Sequence, residues 1–413
     1  MQFTHTHLDD LGVGISLAAF VPEGKRAEWH AMIHVEPRGE MFPQQYERLL
    51  KAEARLMARP DMAGAQPVCR RYFLSDATNQ QPLMTAGDVS AGSTAHNVSA
   101  DSTAGDVPAD SAAHAGGNGT CATACIQQPP LDGSKVALWL YLQRGGEVVA
   151  DADRLHSTVV RSGGYQHIWT MGMTASQGDS YQQTQALLED YGQLLTHYGA
   201  TLADHCLRTW FFVRDVDTWY HGLVVARRDI FTRLGLTPAT HYIASTGIGG
   251  SPAESKALIQ LGGYAVTGFE PRQQRYLYAP THLGRTSDYG VTFERGTLMQ
   301  YGDRNHIFIS GTASINNQGE VMHVGDIGKQ TERMCENVEM LLREGGMTMD
   351  DAMQVIVYLR DTADYDTVSR FFASRYPHTP TVITLAPVCR PTWLIEMECI
   401  AVREASNGDF RNF

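Results

Sequence analysis

The sequence predicts an α+β protein made of tandem copies of one unit, a β-sheet with two helices packed on one face. Three observations lead to that architecture. A divergent repeat is the first: QTQALLEDYGQLLTHYGATLADHCLRTWFFVRD at 183–215 returns as QTERMCENVEMLLREGGMTMDDAMQVIVYLRD at 330–361. Recurrence on this scale marks a repeated supersecondary unit. The second is a change of apolar pattern inside each copy, from helical spacing to a continuous apolar run that ends on an Arg-Asp pair. The third is the closing segment LIEMECIAV at 394–402, where apolar and acidic residues alternate as in a half-buried strand.

Taken in order, residues 1–83 carry strand-like runs at 12–20, 31–35 and 71–75. Between them, at 43–58, Tyr46, Leu49, Leu50, Ala54 and Met57 recur at helical spacing. From 85 to 128 the composition falls to Ala, Gly, Ser, Thr, Asp and His, and TAGDV at 85–89 is repeated at 103–107. Such a stretch buries too little apolar surface to offset its ordering entropy, so it reads as a mobile insertion. The run KVALWLYLQ at 135–143 then resumes the interrupted unit as a strand. Each copy of the repeat follows a strand pair that includes 165–173 or 306–310. Its first helix closes near Gly199 or Gly346, and an apolar strand comes next. A second helix at 218–234 or 365–376 and a last strand at 256–266 or 394–402 complete the copy. The expected division is 1–155 for a degenerate unit carrying the insertion, 156–270 for the first copy and 271–413 for the second.

At 413 residues, 43% hydrophobic and 19% charged, the chain has ordinary globular composition and room for two or three domains. A net charge of −12 argues against nucleic acid or an anionic membrane as partner. No apolar run reaches membrane-spanning length, and the first residues lack a signal-peptide pattern. Seven scattered cysteines, an odd number, suit reduced thiols in a cytoplasmic protein. Cys121 and Cys125 lack a second pair, and His5 and His7 lack a third ligand, so no metal is expected. The GIGG run at 247–250 has neither the lysine nor the helix of a phosphate loop, and no cofactor is expected.

The chemistry concentrates on the last strand. Alternation places Leu394, Glu396 and Glu398 on one face and Ile395, Met397 and Cys399 on the other. Pro391 cannot donate to a ladder, so the strand begins after it. Two carboxylates on one face of an apolar strand are costly unless paired, hydrogen-bonded or protonated. Two readings stand at this point. Both can be sheet-edge or interface carboxylates satisfied by cations or backbone N–H groups. Alternatively, Glu396 is a general acid at the mouth of a pocket, with Cys389 and Arg390 beside it.

The second copy resembles the RidA/YjgF superfamily (chorismate-mutase-like fold) along its whole length, through SGTAS at 310–314, GDIGKQTERMCENVEMLL, QVIVYLRD and LIEMECIAV. That resemblance implies threefold assemblies with ligand sites in the clefts between neighbouring units. The deaminase branch of that superfamily carries a carboxylate-binding arginine where this chain has Val382. Valine cannot replace a bidentate guanidinium, which argues against imine deamination. The chain is more broadly similar to the chorismatase family, over about residues 155–403 with a weaker echo at 70–80. The shared elements are Tyr289-Gly290, Phe293-Glu294-Arg295-Gly296, SGTASI at 310–315, RTW at 208–210 and ASTGIGG at 244–250. A VCRP turn at 388–391 completes the set, with a glutamate, Glu396, seven residues beyond its cysteine. The insertion, the Asn316-Asn-Gln-Gly loop and the C-terminal tail depart from the family pattern.

The resemblance implies an enzyme that removes pyruvate from chorismate, giving 3-hydroxybenzoate or a dihydroxycyclohexadiene carboxylate. Its substrate is a small dicarboxylate, and the protein is a monomeric pseudo-trimer or a homo-oligomer, with residues 1–155 as the third unit. Glu396 takes the acid role, desolvated by Trp393, Ile395 and Met397. Arg295 and Arg390, with Arg208 third, hold the substrate carboxylates, and Tyr165 and Tyr289 flank the diene. Cys389 paired with Gly296 resembles the members that release 3-hydroxybenzoate by an internal displacement at the ring. Structural readings stand beside these: ion pairs for the arginines, core or interface packing for the tyrosines, a buried small residue for Cys389. A RidA-type deaminase, or a non-catalytic small-carboxylate-binding protein, would use the same clefts.

Overall fold

Three six-stranded sheets repeat one connectivity in the computed structural model, which describes residues 1–84, 121–150 and 156–413. The first contains β1 (Gln2–Leu8), β2 (Val13–Phe20), β3 (Ala27–Val35), β4 (Gln66–Leu74), β5 (Ala122–Gln127) and β6 (Val136–Arg144). The second contains β7 (Glu147–Ala150), β8 (Ser157–Ser162), β9 (Tyr165–Thr174), β10 (Cys206–Val213), β11 (Ala244–Gly249) and β12 (Ile259–Thr267). The third contains β13 (Gln274–Leu277), β14 (Gly296–Gln300), β15 (Arg304–Ala313), β16 (Ala352–Leu359), β17 (Thr381–Leu385) and β18 (Ile395–Glu404). Within each sheet the spatial order is first, second, third, sixth, fourth, fifth. The fourth and fifth strands pair in parallel.

A parallel pair needs a crossover. Helix Val216–Arg233 supplies it between β10 and β11, and helix Tyr365–Arg375 between β16 and β17. The other long helices, Phe42–Met57, Ser180–His197 and Ile327–Glu344, join third to fourth strands. Their ends are written locally. Asp179 accepts the Gln182 N–H at 3.0 Å and Asp326 that of Lys329 at 3.0 Å, satisfying donors that the first turn leaves open. Gly346, at φ +78°, takes the left-handed conformation just beyond one helix end. Met334, Val338, Leu341 and Leu342 form the buried stripe of Ile327–Glu344.

Each parallel edge strand is capped by the next unit. Gln127 of β5 bridges to Ser251, Ala244 of β11 to Glu294, and Thr384 of β17 to Pro130. The three contacts run first to second, second to third and third to first, so the ring closes within one chain. Closure removes three edges that would otherwise invite pairing. Indoles of the first two sheets, Trp139, Trp169 and Trp210, meet at 6.3–6.5 Å between centroids. Phe308 of the third sheet packs 5.1 Å from Tyr264 of the second.

Several expectations are corrected. Residues 85–120 of the expected insertion lie outside the described residues, but its last part is a core strand. In β5 the small apolar side chains Ala122, Ala124 and Ile126 are fully buried against β4. Strand β7 pairs with β8, so the first and second sheets divide between Arg144 and Glu147, not at 155. The first unit has a four-residue helix, Ala77–Gln80, between β4 and the insertion, where the other units have a long one. The ASTGIG stretch, given no element in the sequence reading, is strand β11. Among the described residues no helix is long and apolar enough to cross a membrane.

Candidate active site

The cleft between the second and third sheets holds the acid singled out on the last strand. Glu396 is the second residue of β18, opposite Ala313 on β15 and Tyr358 on β16. Strand β15 bulges between Ile309 and Thr312, where its pairing with β18 shifts register. A bulge breaks pairing and re-aims the chain. Here it turns Ser310 and Gly311 toward the second sheet. The Ser310 hydroxyl accepts the Ser245 N–H at 2.8 Å and donates to the Glu294 carbonyl, and Gly311 N–H donates to Thr246 Oγ1 at 2.9 Å. Strand β11 is thereby docked against the bulge. A Cβ on Gly311 would stand 2.0 Å from Glu396 Oε1; the acid occupies the space that glycine leaves.

A cavity of about 140 Å3 opens in front of Glu396. Of the residues picked out in the sequence, Glu396, Cys389, Arg390 and Arg295 line it. Arg390 lies 4.8 Å over the Trp393 ring. Arg295 is 3% exposed and donates to the Gly284 carbonyl at 3.3 Å. Helix Val216–Arg233 contributes two lining residues that the sequence did not single out, Tyr220 and Arg227. They stand seven apart, two turns along one helix face. Arg227 is 1% exposed; Nε bonds Thr292 Oγ1 at 3.1 Å, Nη1 bonds Ser245 Oγ at 3.4 Å, and Nη2 has no partner among the described residues. The Tyr220 hydroxyl sits against Cys389 and Arg227. Gly247 makes room for that ring: a Cβ there would be 3.0 Å from Tyr220 Cε2.

Burial, reinforced by the Glu398 carboxylate, pushes the Glu396 carboxyl up to about 8, against the pull of Arg208 and Arg295. The group is therefore protonated near neutral pH and competent to donate. Burial, then Glu396, pushes the Cys389 thiol up to about 12, so it stays a thiol rather than a thiolate nucleophile.

The remaining residues picked out in the sequence lie elsewhere. Arg208 does not line the cavity; its guanidinium pairs with Glu398 at 2.8 Å and bonds Thr246. Tyr165 is turned away toward the third sheet, donating to the Arg411 carbonyl at 3.1 Å and accepting from Gln273 at 3.0 Å. Gly296 begins β14 beside Arg295, and a Cβ there would press on Ile309 at 3.0 Å. Tyr289 ends the short turn Thr286–Tyr289, two residues before the lining residue Val291. Val382 is buried on β17.

The family model described as Endoribonuclease L-PSP matches residues 299–403. The chorismatase of Streptomyces hygroscopicus is 30% identical over 244 residues, covering 54% of this chain and 69% of that protein. A RutC family protein of Pyrococcus abyssi is 34% identical over 103 residues, 24% of this chain and 80% of that protein. A crystal structure of a chorismatase matches with a TM-score of 0.59 at 21% identity, covering 83% of this chain and 96% of that one; this is a likeness of fold. With three RidA-like sheets in one chain and that extent of identity to a chorismatase, the chain belongs to the chorismatase family.

Proposed function

We propose that the protein removes pyruvate from chorismate, with Glu396 as proton donor. The observation that carries this reading is a buried carboxyl, Glu396, facing a cavity walled by Arg227, Arg295 and Arg390, where burial raises its pKa to about 8. Chorismate has two carboxylates and an enolpyruvyl ether. A proton delivered to the terminal methylene carbon makes a methyl group and leaves an oxocarbenium ion. Water added at the oxocarbenium carbon gives a hemiketal, which loses the ring alcohol to leave pyruvate and a dihydroxycyclohexadiene carboxylate. An internal displacement at the ring, with loss of a ring proton, gives pyruvate and 3-hydroxybenzoate without consuming water. Cys389 and Gly296 support the second outcome through their resemblance to family members with that product. Guanidinium groups suit the dianion because each offers two-point hydrogen bonds to a carboxylate.

The closed ring of three units supports a monomeric pseudo-trimer, and seven unpaired cysteines support a reducing compartment. A deaminase reading draws on relatives such as the 3-aminoacrylate deaminase RutC of Acinetobacter baylyi, 28% identical over 99 residues; Val382 speaks against it. The test is to incubate wild type and Glu396→Gln with chorismate, following pyruvate enzymatically and the aromatic product by chromatography. Wild type should release both, and the variant should lose about a hundredfold or more, the scale of general acid catalysis. No pyruvate from wild type ends the proposal. An unimpaired variant ends the role given to Glu396.

A further inference from the structure

Glu398 takes no part in the steps above, yet it anchors the densest buried polar cluster near the acid. Its carboxylate accepts from Arg208 Nη2 at 2.8 Å, from Trp210 Nε1 at 2.9 Å and from Thr246 Oγ1, with Arg71 Nη1 at 3.5 Å. Arg71 belongs to β4 in the first sheet, the next three donors to β10 and β11 in the second, and Glu398 to the third. All four partners donate, so the carboxylate serves as the common acceptor of the cluster. Thr246 also receives the Gly311 N–H, and Gly311 is the residue pressed against Glu396. The cluster therefore reaches the acid through a single bridging hydroxyl.

Resting on the reaction proposed above, we propose that Glu398 is a positioning residue for it: a carboxylate clamped by donors from the other two sheets, whose charge keeps Glu396 in its acid form. The two lie on one face of β18, two residues and so about 7 Å apart along the strand. After burial, Glu398 is the largest influence on Glu396; Arg208 and Arg295 act in the opposite sense. Tyr358 stands opposite on β16, and Tyr220, Arg227, Cys389 and Arg390 complete the ionisable groups around the cavity. Arg71 gives the first sheet, which contributes nothing to the cavity wall, a part in the chemistry.

The decisive measurement is the titration of Glu396 itself, read without substrate from the infrared band of its protonated carboxyl and assigned by the loss of that band in Glu396→Gln. In Glu398→Gln the midpoint should fall by about one pH unit or more, as expected for removing a charge at this range. A structural role alone would lower the melting temperature and leave the midpoint in place; that result overturns the proposal. Should the unpaired Arg208 prevent folding, Glu398→Gln/Arg208→Met removes anion and cation together. Its midpoint should fall by less but in the same direction, and a rise or no change refutes the assignment. With chorismate, the alkaline limb of pyruvate release should move by the same amount. Failure to turn over chorismate would refute the reaction while the infrared titration still decides the role of Glu398.

Discussion

Replacing Gly311 by alanine tests the placement of the acid separately from its proton. The new methyl would stand 2.0 Å from Glu396 Oε1, 2.8 Å from its Cδ and 3.1 Å from Thr246 Cγ2. Non-bonded contacts relax near 3.5 Å, so the carboxyl has to move by about 1 Å or more. Gly311 is not among the residues with positive φ, so alanine adds no backbone strain there. The atom that must yield is the end of a flexible side chain, and the stability cost should stay near the low end of overpacking, about 1 kcal/mol. Catalysis is less forgiving: a misplacement of about 1 Å costs on the order of a hundredfold. The expected result is a melting temperature within a few degrees of wild type and pyruvate release down by about two orders of magnitude. Combining Gly311→Ala with Glu396→Gln should add little further loss, because both remove the same proton delivery. Full activity in a folded Gly311→Ala protein would refute the reasoning. The same follows if the two losses multiply independently.

Glu396 should also leave a mark on stability. Its folded pKa of about 8 lies above the ordinary glutamate value of 4.5, so its contribution is complete below pH 4.5 and is lost as pH rises through 8. Unfolding free energies of wild type, from denaturant titrations, should therefore fall more between pH 5 and pH 9 than those of Glu396→Gln, by a few kcal/mol; parallel curves would contradict a raised pKa. Arg227→Met should raise KM for chorismate about tenfold or more with a smaller effect on kcat, read from steady-state pyruvate release, because a charge-assisted contact to a substrate carboxylate is lost. Ile126→Ala, in the strand expected from sequence to be mobile, should cost about 2–5 kcal/mol in urea unfolding. A cost below about 0.5 kcal/mol, the range of surface substitutions, would remove β5 from the core.

The parts of the fold legible in the sequence are those whose local pattern matches their environment. Strands β10 and β16 are wholly buried and end in the apolar runs WFFV and VIVYL, while LIEMECIAV kept its alternation because one face carries Glu396 and Glu398. Strand β5 was missed because ATACIQ is built from small residues and follows a low-complexity stretch; its burial comes from pairing with β4, a long-range fact. Tyr220 and Arg227 were missed for a related reason. On an isolated helix their face looks solvated, and the neighbouring sheet covers it only in the assembled ring. The two readings left open for the acidic strand turn out to divide between its residues. Glu398 is the paired interface carboxylate, and Glu396 is the one that faces a cavity. Tyr165 was chosen by resemblance rather than by packing, and packing sends it elsewhere.

Carrying three units on one chain explains why a threefold plan puts Glu396 at one of three matching strand positions. In a homotrimer the clefts are identical by symmetry. Here the position of Glu396, paired with Tyr358 and Ala313, is matched in the second sheet by Gln260, paired with Phe212 and Thr174. In the first sheet it is matched by Ala137, paired with Phe73 and His34. The cleft beside Gln260 is filled by β5: Gln260 donates to the Cys125 carbonyl at 3.3 Å, and a Cβ on Gly172 would meet the Thr123 carbonyl at 2.5 Å. The cleft beside Ala137 has a methyl group where Glu396 stands in the third sheet, and it is bridged instead. His34 bonds Asp132 at 2.9 Å and, across the interface, the Thr381 carbonyl at 3.1 Å. Burial disfavours the charged ring, but the Asp132 carboxylate and the Thr381 carbonyl outweigh it and raise the imidazole's pKa. Freed from symmetry, the three interfaces have diverged: β5 fills one, His34 bridges another beside a cavity lined also by Asp132, Tyr365 and Thr381, and the third sets Glu396 against its cavity.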